Sequence, residues 1–181
     1  MKLANTFLLA TPQLRDPRFA GSLIIVVRHD HDGALGLIVN QPSTLRIKDV
    51  LLDLEIDTSS GLDALVLNGG PLRPEAGFVL HTGQPSWQSS VAVAENLCLT
   101  TSKDILHAIA HDEGVRRYLI CLGHAGWERG QLEKEIEAGD WLTTPADPHL
   151  IFDEPVVRRY QQAASQIGVD TLWLADEIGH A

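Results

Sequence analysis

The residues that could do chemistry are concentrated in one stretch, Arg117–Leu142. His124 precedes Glu133 and Glu135 there, and an imidazole near a carboxylate can act as an acid–base pair. The stretch from about Gln131 has a helical pattern, in which Glu133 and Glu135 flank the inner face on opposite sides. We expect both carboxylates to be half-buried. Because no third group that would orient such a pair is visible, the pattern predicts no catalytic residue.

Two other patterns contain metal-ligand residue types. The run His29–Asp32 alternates histidine and aspartate before Gly33, and Asp104, His107 and His111 recur at i, i+3 and i+7. Neither pattern has a distant ligand to complete a site. A polar hairpin turn and solvated histidines near a helix end explain them better. The sequence therefore predicts no metal and no cofactor.

Two glycine-rich turns follow predicted strands. The first is Gly126–Gly130, in which two glycines flank Trp127, and the second is Asn68–Pro71, with the sequence Asn-Gly-Gly-Pro. Backbone N–H groups at such turns can bind a ligand, and tight turns that need positive φ are the alternative. The glycine spacing matches neither the dinucleotide fingerprint nor the P-loop, and the glutamates that follow would repel phosphate.

Apolar periodicity predicts the elements that position these residues. Helices are expected after a cap at Ser43 or Thr44, after a capping box at Thr101–Asp104, from Gln131 to Gly139, and after Pro155, with Val157 inward and Arg159 outward. Predicted strands are Phe7–Ala10, Leu23–Val27, Ala34–Val39, Leu65–Leu67, Gly77–His81, Val91–Val93, Leu97–Thr100, Tyr118–Leu122 (ended by Gly123), His149–Phe152 and Val169–Leu174. This mixture of hairpins and three to four helices favours an α+β fold with a mixed sheet.

Length and composition indicate an ordinary globular chain. The 181 residues, 44% hydrophobic and 21% charged, predict one domain spanning residues 1–181. No apolar run approaches the roughly 20 residues that span a bilayer, and the N-terminus lacks the pattern of a signal peptide. Cys98 and Cys121 lie in apolar runs and are expected to be reduced, buried thiols of a cytoplasmic protein.

The charge disfavours direct nucleic-acid binding. The chain has 14 Lys and Arg and 24 Asp and Glu, which gives a net charge of −10. The basic residues are scattered, with pairs only at Arg116-Arg117 and Arg158-Arg159. A protein that neutralises phosphates usually presents a basic patch, and the sequence shows none.

Motifs along nearly the whole chain resemble the bacterial AlgH/YqgE family. They are F-L-L-A-T-P at Phe7–Pro12, D-P-x-F at Asp16–Phe19, G-A-L-G-L-I-V-N-x-P at Gly33–Pro42, N-G-G-P at Asn68–Pro71, G-W-x-x-G-Q-L-E-x-E at Gly126–Glu135, and W-L at Trp141-Leu142. The resemblance implies one compact domain with a strongly bent, pseudo-barrel-like sheet and flanking helices. The family has no established biochemical activity, and one branch is named as a transcriptional regulator. This chain has His124 where the family usually has Tyr, and Gln41 where it usually has Lys or Arg.

The interpretation that follows is a non-enzymatic cytoplasmic binding or regulatory protein that acts through an unidentified protein partner. It would use the Trp127/Trp141 region as a surface, because tryptophan combines apolar area with a polar N–H. The alternative is a small-ligand protein or enzyme with a pocket at the glycine turns. Whether both rings are core or surface is left open. The candidate binding residues are Asn40, Pro42, Asn68, Gly69, Gly70, Pro71, Gly126, Trp127, Gly130, Gln131, Glu133, Glu135 and Trp141.

Overall fold

The computed structural model describes residues 2–58 and 61–169, and these residues form ten strands, five α-helices and two 3₁₀ turns. The strands are β1 (Thr6–Ala10), β2 (Leu23–Asp30), β3 (Gly33–Ile38), β4 (Pro42–Arg46), β5 (Leu65–Asn68), β6 (Leu72–His81), β7 (Ser90–Ala94), β8 (Leu97–Thr100), β9 (Tyr118–Glu128) and β10 (Trp141–Pro145). The helices are α1 (Ile47–Asp53), α2 (Asp104–Ala110), α3 (Gln131–Glu137), α4 (Pro148–Phe152) and α5 (Arg159–Gln166), and the 3₁₀ turns are Pro17–Phe19 and Val156–Arg158. None of the described helices is long and apolar enough to cross a membrane.

The long strand β9 is the centre of the sheet. Its first half pairs with β6 in antiparallel fashion and with β5 in parallel, and its second half pairs with β3. The strand order is β10-β1-β2-β3-β9-β6-β8-β7, and β4 joins through β5. The sheet is therefore mixed, and it curls strongly into a half-barrel, which confirms the predicted α+β fold.

Successive residues of the inner strands pack on opposite faces of the sheet, as the two-residue period of a strand requires. Phe7, Leu9 and Ile25 pack with α4 and α5 on one face. Leu8, Ile24 and Val26 pack on the other face, with Trp127 of β9, Trp141 of β10 and Leu132 of α3. A third cluster joins α1 and α2 to β6 and β9. Because both faces of the sheet are covered here, every residue of β1 and β2 in this region packs in a core, which explains their continuous apolar sequences.

The prediction that the strand ends at Gly123 and that Trp127 lies in a glycine turn is wrong. Strand β9 continues through Gly123, which has φ of +72°. A Cβ at Gly123 would lie 2.3 Å from the carbonyl oxygen of Gly70. Glycine is needed there because two backbones approach closely, and the strand does not end.

Two predictions about the C-terminal part are also wrong. His149–Phe152 belongs to α4 instead of a strand, because Asp147 caps a helix by accepting the N–H of His149 at 2.9 Å and Pro148 occupies its first position. After Pro155 the chain makes a 3₁₀ turn before α5, and the tighter turn changes which residues face inward. As a result Val157 is 86% exposed, whereas Arg159 is 4% exposed.

Two predicted caps are not formed. Ser43 and Thr44 belong to β4, and α1 begins instead where the Asp49 carboxylate accepts the N–H of Arg46 at 2.9 Å. Helix α2 begins at Asp104, whose own carboxylate accepts hydrogen bonds from Ser102 and Gln88, so Thr101 caps nothing. The predicted strand Val169–Leu174 lies outside the described residues apart from Val169.

Candidate functional site

Glu135 joins α3 to two tryptophans of the sheet. Its Oε2 accepts hydrogen bonds of 2.8 Å from Nε1 of Trp127 and from Nε1 of Trp141. Gln131 lies one turn earlier on the same helix face and donates from Nε2 to Oε1 of Glu135, also at 2.8 Å. One carboxylate therefore receives hydrogen bonds from β9, β10 and α3.

Both indole rings belong to the core. Trp127 is 7% exposed and Trp141 is 2% exposed. Their ring centroids lie 6.0 Å apart in an edge-to-face arrangement, and Phe19 contacts Trp141 in the same way at 5.8 Å. The structure thus answers the question that the sequence left open, and the rings do not form an exposed aromatic patch.

A small cleft opens over this arrangement, and we call it the double-tryptophan cleft. Its volume is about 150 Å³. Its walls come from the 3₁₀ turn at Pro17–Phe19, from β9 and β10, and from α3. The polar and aromatic residues that line it are Asp16, Arg18, Phe19, Trp127, Gln131 and Glu135, with Trp141 beside them.

The cleft carries more negative than positive charge. Arg18 pairs with Asp16 through Nη2 and Oδ2 at 2.6 Å, and this hydrogen bond lowers the pKa of the Asp16 carboxyl. With Glu135 the formal charge of the lining is −1. The Arg18 side chain is 63% exposed, so it can move without disturbing the core.

Six of the candidate residues from the sequence line this cleft. They are Pro71, Gly126, Trp127, Gln131, Glu135 and Trp141. These residues come from three of the motifs that carry the family resemblance, and a fourth motif, D-P-x-F, adds Asp16 and Phe19. Stretches that are far apart in the sequence therefore meet at one place.

The Asn68–Pro71 turn packs against β9 in a way that leaves no space for a ligand at its two glycines. A Cβ at Gly69 would lie 2.3 Å from the carbonyl oxygen of Gly123, and a Cβ at Gly70 would lie 2.2 Å from the carbonyl carbon of His124. Close backbone packing explains both glycines. Pro71, the last residue of this turn, reaches the cleft.

The remaining candidate residues have local structural contacts. Asn40 accepts the N–H of Leu23 and donates to the carbonyl of Gly21, which links two turns. Pro42 begins β4, and Gly130 precedes α3 with φ of +71°. Glu133 lies on the other side of α3 from Glu135, as predicted, and accepts a 2.8 Å hydrogen bond from His29. The side chain of Glu133 is 36% exposed, and that of His29 is 8% exposed.

The acid–base pair considered from the sequence is not assembled. Within residues 2–58 and 61–169, His124 makes no hydrogen bond to Glu133 or Glu135, and its buried Nδ1 has no hydrogen-bond partner. Burial lowers the pKa of His124, and the charges of Arg73 and Arg28 lower it further. The two carboxylates are engaged by His29 and by the indoles.

The metal-like patterns do not form enclosed sites among the described residues. The possible ligand atoms of Asp30, His31 and Asp32 lie within 4.8 Å of one another at the tip of the β2–β3 hairpin, and all three residues are exposed. At α2, the carboxylate of Asp104 accepts hydrogen bonds from its neighbours, and Nδ1 of His111 bonds to the carbonyl of His107.

The buried hydroxyl and thiol groups are not accessible nucleophiles. His81 bonds through Nδ1 to the carbonyl of Thr82 and through Nε2 to the hydroxyl of Thr100. Thr100 has no exposed surface, however, and burial lowers the pKa of His81. Cys121 is fully buried, which raises the pKa of its thiol to about 12.

A larger groove lies elsewhere on the surface, and the sequence reasoning missed it. It has a volume of about 640 Å³ and lies between α1 and α2, over strands β6 and β9. Its apolar lining includes Val50, Leu54, Val79, Leu106, Ile120 and Leu122. One feature of the sequence pointed to it. Ile47, Val50, Leu51 and Leu54 fall at i, i+3, i+4 and i+7 on one helical face, but only Ile47 and Leu51 are buried in the core.

Comparisons with known proteins agree on one family. A family model described as AlgH-like matches residues 7–172. A UPF0301 protein of Psychrobacter cryohalolentis is 52% identical over 182 residues, which cover 99% of this chain and 97% of the relative. A UPF0301 protein of Methylococcus capsulatus is 47% identical over 180 residues, with coverage of 98% and 96%.

Two solved structures have the same fold. The solution structure of the AlgH protein from Pseudomonas aeruginosa has a TM-score of 0.82 and 41% identity, and the match covers 100% of this chain and 97% of that one. A crystal structure of a protein from Corynebacterium diphtheriae has a TM-score of 0.74 and 23% identity, with coverage of 92% and 87%. At 23% identity, the similarity to the Corynebacterium diphtheriae protein shows the fold alone.

Proposed function

The chain belongs to the AlgH-like family, and we propose that it is a binding protein whose recognition site is the double-tryptophan cleft. The cleft takes one cationic side chain, Arg or Lys, of a cytoplasmic protein partner. The observation that carries this proposal is the Glu135 carboxylate, which lines a small negative cleft and is held in place by two buried indoles.

The size of the cleft favours a single side chain. Pockets for drug-sized ligands and cofactors have volumes of about 300–1,000 Å³. The 150 Å³ of this cleft is too small for such a molecule. Anchoring residues at protein interfaces, in contrast, commonly place one side chain into a small, well-packed pocket, and Arg is enriched among them.

The free acceptor capacity of Glu135 favours a cation. An ionised carboxylate offers about four acceptor positions. Among the described residues, the two indoles and Gln131 use three, and the fourth remains on Oε1. Phe19 also lines the cleft, and the Arg18 guanidinium lies 6.0 Å from the centroid of its ring, so this ring accepts a cation over its face.

The same features support regulation through protein contacts in preference to catalysis or DNA binding. In the part of the chain that the structure describes, no imidazole bonds to a carboxylate of the cleft. The net charge of −10 and the negative lining oppose contact with phosphates.

The test uses the two indole N–H groups as reporters. Ethylguanidinium, a mimic of the arginine side chain, is titrated into ¹⁵N-labelled protein while the indole Nε1–H resonances are followed by NMR. The resonances of Trp127 and Trp141 should shift with saturation, because both groups share the carboxylate that binds the cation. Butyrate, which has the opposite charge, should leave them unchanged. Equal shifts with both probes, or none with either, would contradict the proposal.

The matched variants are Glu135→Gln and Glu137→Gln. Both remove one charge from α3, but Glu137 is exposed and does not line the cleft. Binding of ethylguanidinium should be lost in the first variant and kept in the second. The partner can then be sought with a photo-crosslinking residue at Leu72, which lines the cleft and is 45% exposed. Replacing the partner's cross-linked Arg or Lys by Ala should abolish the complex.

A further inference from the structure

We propose that the groove between α1 and α2 is a second binding site, which takes an amphipathic helix of a protein partner with leucine-type residues on one face and lysine or arginine beside them. This site is independent of the double-tryptophan cleft, because the two share no lining residue. A helix that lays its apolar face into a hydrophobic groove is a recurrent mode of peptide recognition.

The floor and walls of the groove are apolar; the floor residues are only 3% exposed, whereas the walls are half-exposed. Val79 and Ile120 form the floor on neighbouring strands, where they are paired in register. Val50 on α1 and Leu106 on α2 form the walls, and neither is fully buried. The apolar faces of α1 and α2 therefore extend beyond the residues that are buried in the core.

The apolar surface reaches the rim of the groove, which favours a protein segment over a small molecule. Leu45 lines the groove and is 42% exposed. A small molecule inside the groove would leave much of this leucine in water, whereas a helix lying across the groove can cover it.

The rim supplies the charge that selects the occupant. Asp49, Asp53 and Glu75 line the groove together with a single cation, Lys103. The rim thus has a formal charge of −2, and it attracts a segment that carries lysine or arginine on either side of its apolar face. An acidic helix of the same shape is repelled.

The probes are two labelled peptides of about 18 residues, long enough to form a helix. Both carry leucine at i, i+3, i+4 and i+7, and the positions beside the leucines are lysine in one peptide and glutamate in the other. Binding to the full chain is followed by fluorescence anisotropy. The lysine peptide should bind with saturation and the glutamate peptide should not.

Variants of unchanged net charge separate the groove from general attraction to an acidic protein. Val50→Asn with Leu106→Gln should weaken the lysine peptide at least tenfold, whereas Val157→Gln, at an exposed residue outside the groove, should leave its affinity unchanged. Melting temperatures of all variants establish that they are folded. Equal affinity for the groove variant and the control would overturn the proposal.

The contribution of the rim is tested with two pairs of variants that remove the same charge. Asp53→Asn with Glu75→Gln should weaken the lysine peptide by about three- to tenfold, since each exposed ion pair contributes little. Glu113→Gln with Glu137→Gln, at exposed residues that do not line the groove, should have no such effect. Decylamine serves as a small amphiphilic probe. If decylamine raises the melting temperature and neither peptide binds, the groove takes a small molecule instead of a helix. That result would overturn the proposal.

Discussion

The Glu135 carboxylate is the contact whose removal tests the site most directly. In Glu135→Ala, the indole N–H groups of Trp127 and Trp141 lose their acceptor. A hydrogen bond to a charged group contributes about 1.5–3 kcal/mol, so the two together contribute about 3–6 kcal/mol. Water cannot fully replace the carboxylate, because the two rings are 7% and 2% exposed. The melting temperature should fall by at least about 6 °C for a chain of this length.

Two further variants separate this effect from other causes. Glu135→Gln keeps a carbonyl oxygen for the indoles but loses the charge and the acceptor of the Gln131 hydrogen bond, so it should cost about half as much as the alanine variant. Glu137→Ala, at an exposed position of the same helix, should remain within about 0.5 kcal/mol of the parent. Urea denaturation followed by circular dichroism measures all three. If Glu135→Ala and Glu137→Ala have equal free energies of unfolding, the indole bonds do not stabilise the fold and the reasoning fails.

Four other predictions concern single contacts. Trp127→Ala should lower the free energy of unfolding by about 3–5 kcal/mol, because the ring is core; an unchanged urea midpoint would contradict this. Glu133→Gln should cost only about 0.5–1.5 kcal/mol through its bond to His29, and it should leave ethylguanidinium binding intact; loss of that binding in the NMR titration would place Glu133 in the site. His124→Phe should raise stability by about 1 kcal/mol by removing a buried nitrogen without a partner, and a lower urea midpoint would show that Nδ1 is satisfied. Burial lowers the pKa of His81 below 6.5, so the unfolded chain binds the proton first. The contribution of His81 to stability should therefore be complete above pH 6.5, and the urea midpoint should fall as the pH falls below 6.5. A midpoint that rises over this range would contradict the lowered pKa of His81.

The positions of the two glutamates on α3 could be predicted from the sequence, whereas their partners could not. The helical period places Glu133 and Glu135 on opposite flanks and Gln131 one turn before Glu135, and the structure has all three in these positions. The indoles of Trp127 and Trp141 come from different strands. Their meeting depends on the pairing of β9 with β3 and of β10 with β1, and no local pattern specifies that register.

The errors arose where one short pattern is compatible with two structures. The run at His149–Phe152 is only four residues long, so its apolar content cannot distinguish a strand from a helix, and the cap at Asp147 decided the outcome. Arg159 looked like a solvated residue. Its Nη1 instead donates to the carbonyl of Val39 at 2.6 Å and its Nε donates to the carbonyl of Glu154, which provides a buried guanidinium with hydrogen bonds. The large groove was missed because its walls come from elements that are far apart in the sequence.

Gln41 and His124, the two residues expected from the resemblance to depart from the family pattern, lie outside the double-tryptophan cleft. Gln41 donates from Nε2 to the buried hydroxyl of Ser22 at 2.8 Å, so an uncharged side chain has a local partner there. His124 sits two residues before Gly126 of the cleft and is not itself among the lining residues. Burial lowers the pKa of His124, and the charges of Arg73 and Arg28 lower it further, so its imidazole adds no positive charge near neutral pH. Because neither residue lines the cleft, the net negative charge on which the proposed binding of a cation depends comes from Glu135, Arg18 and Asp16.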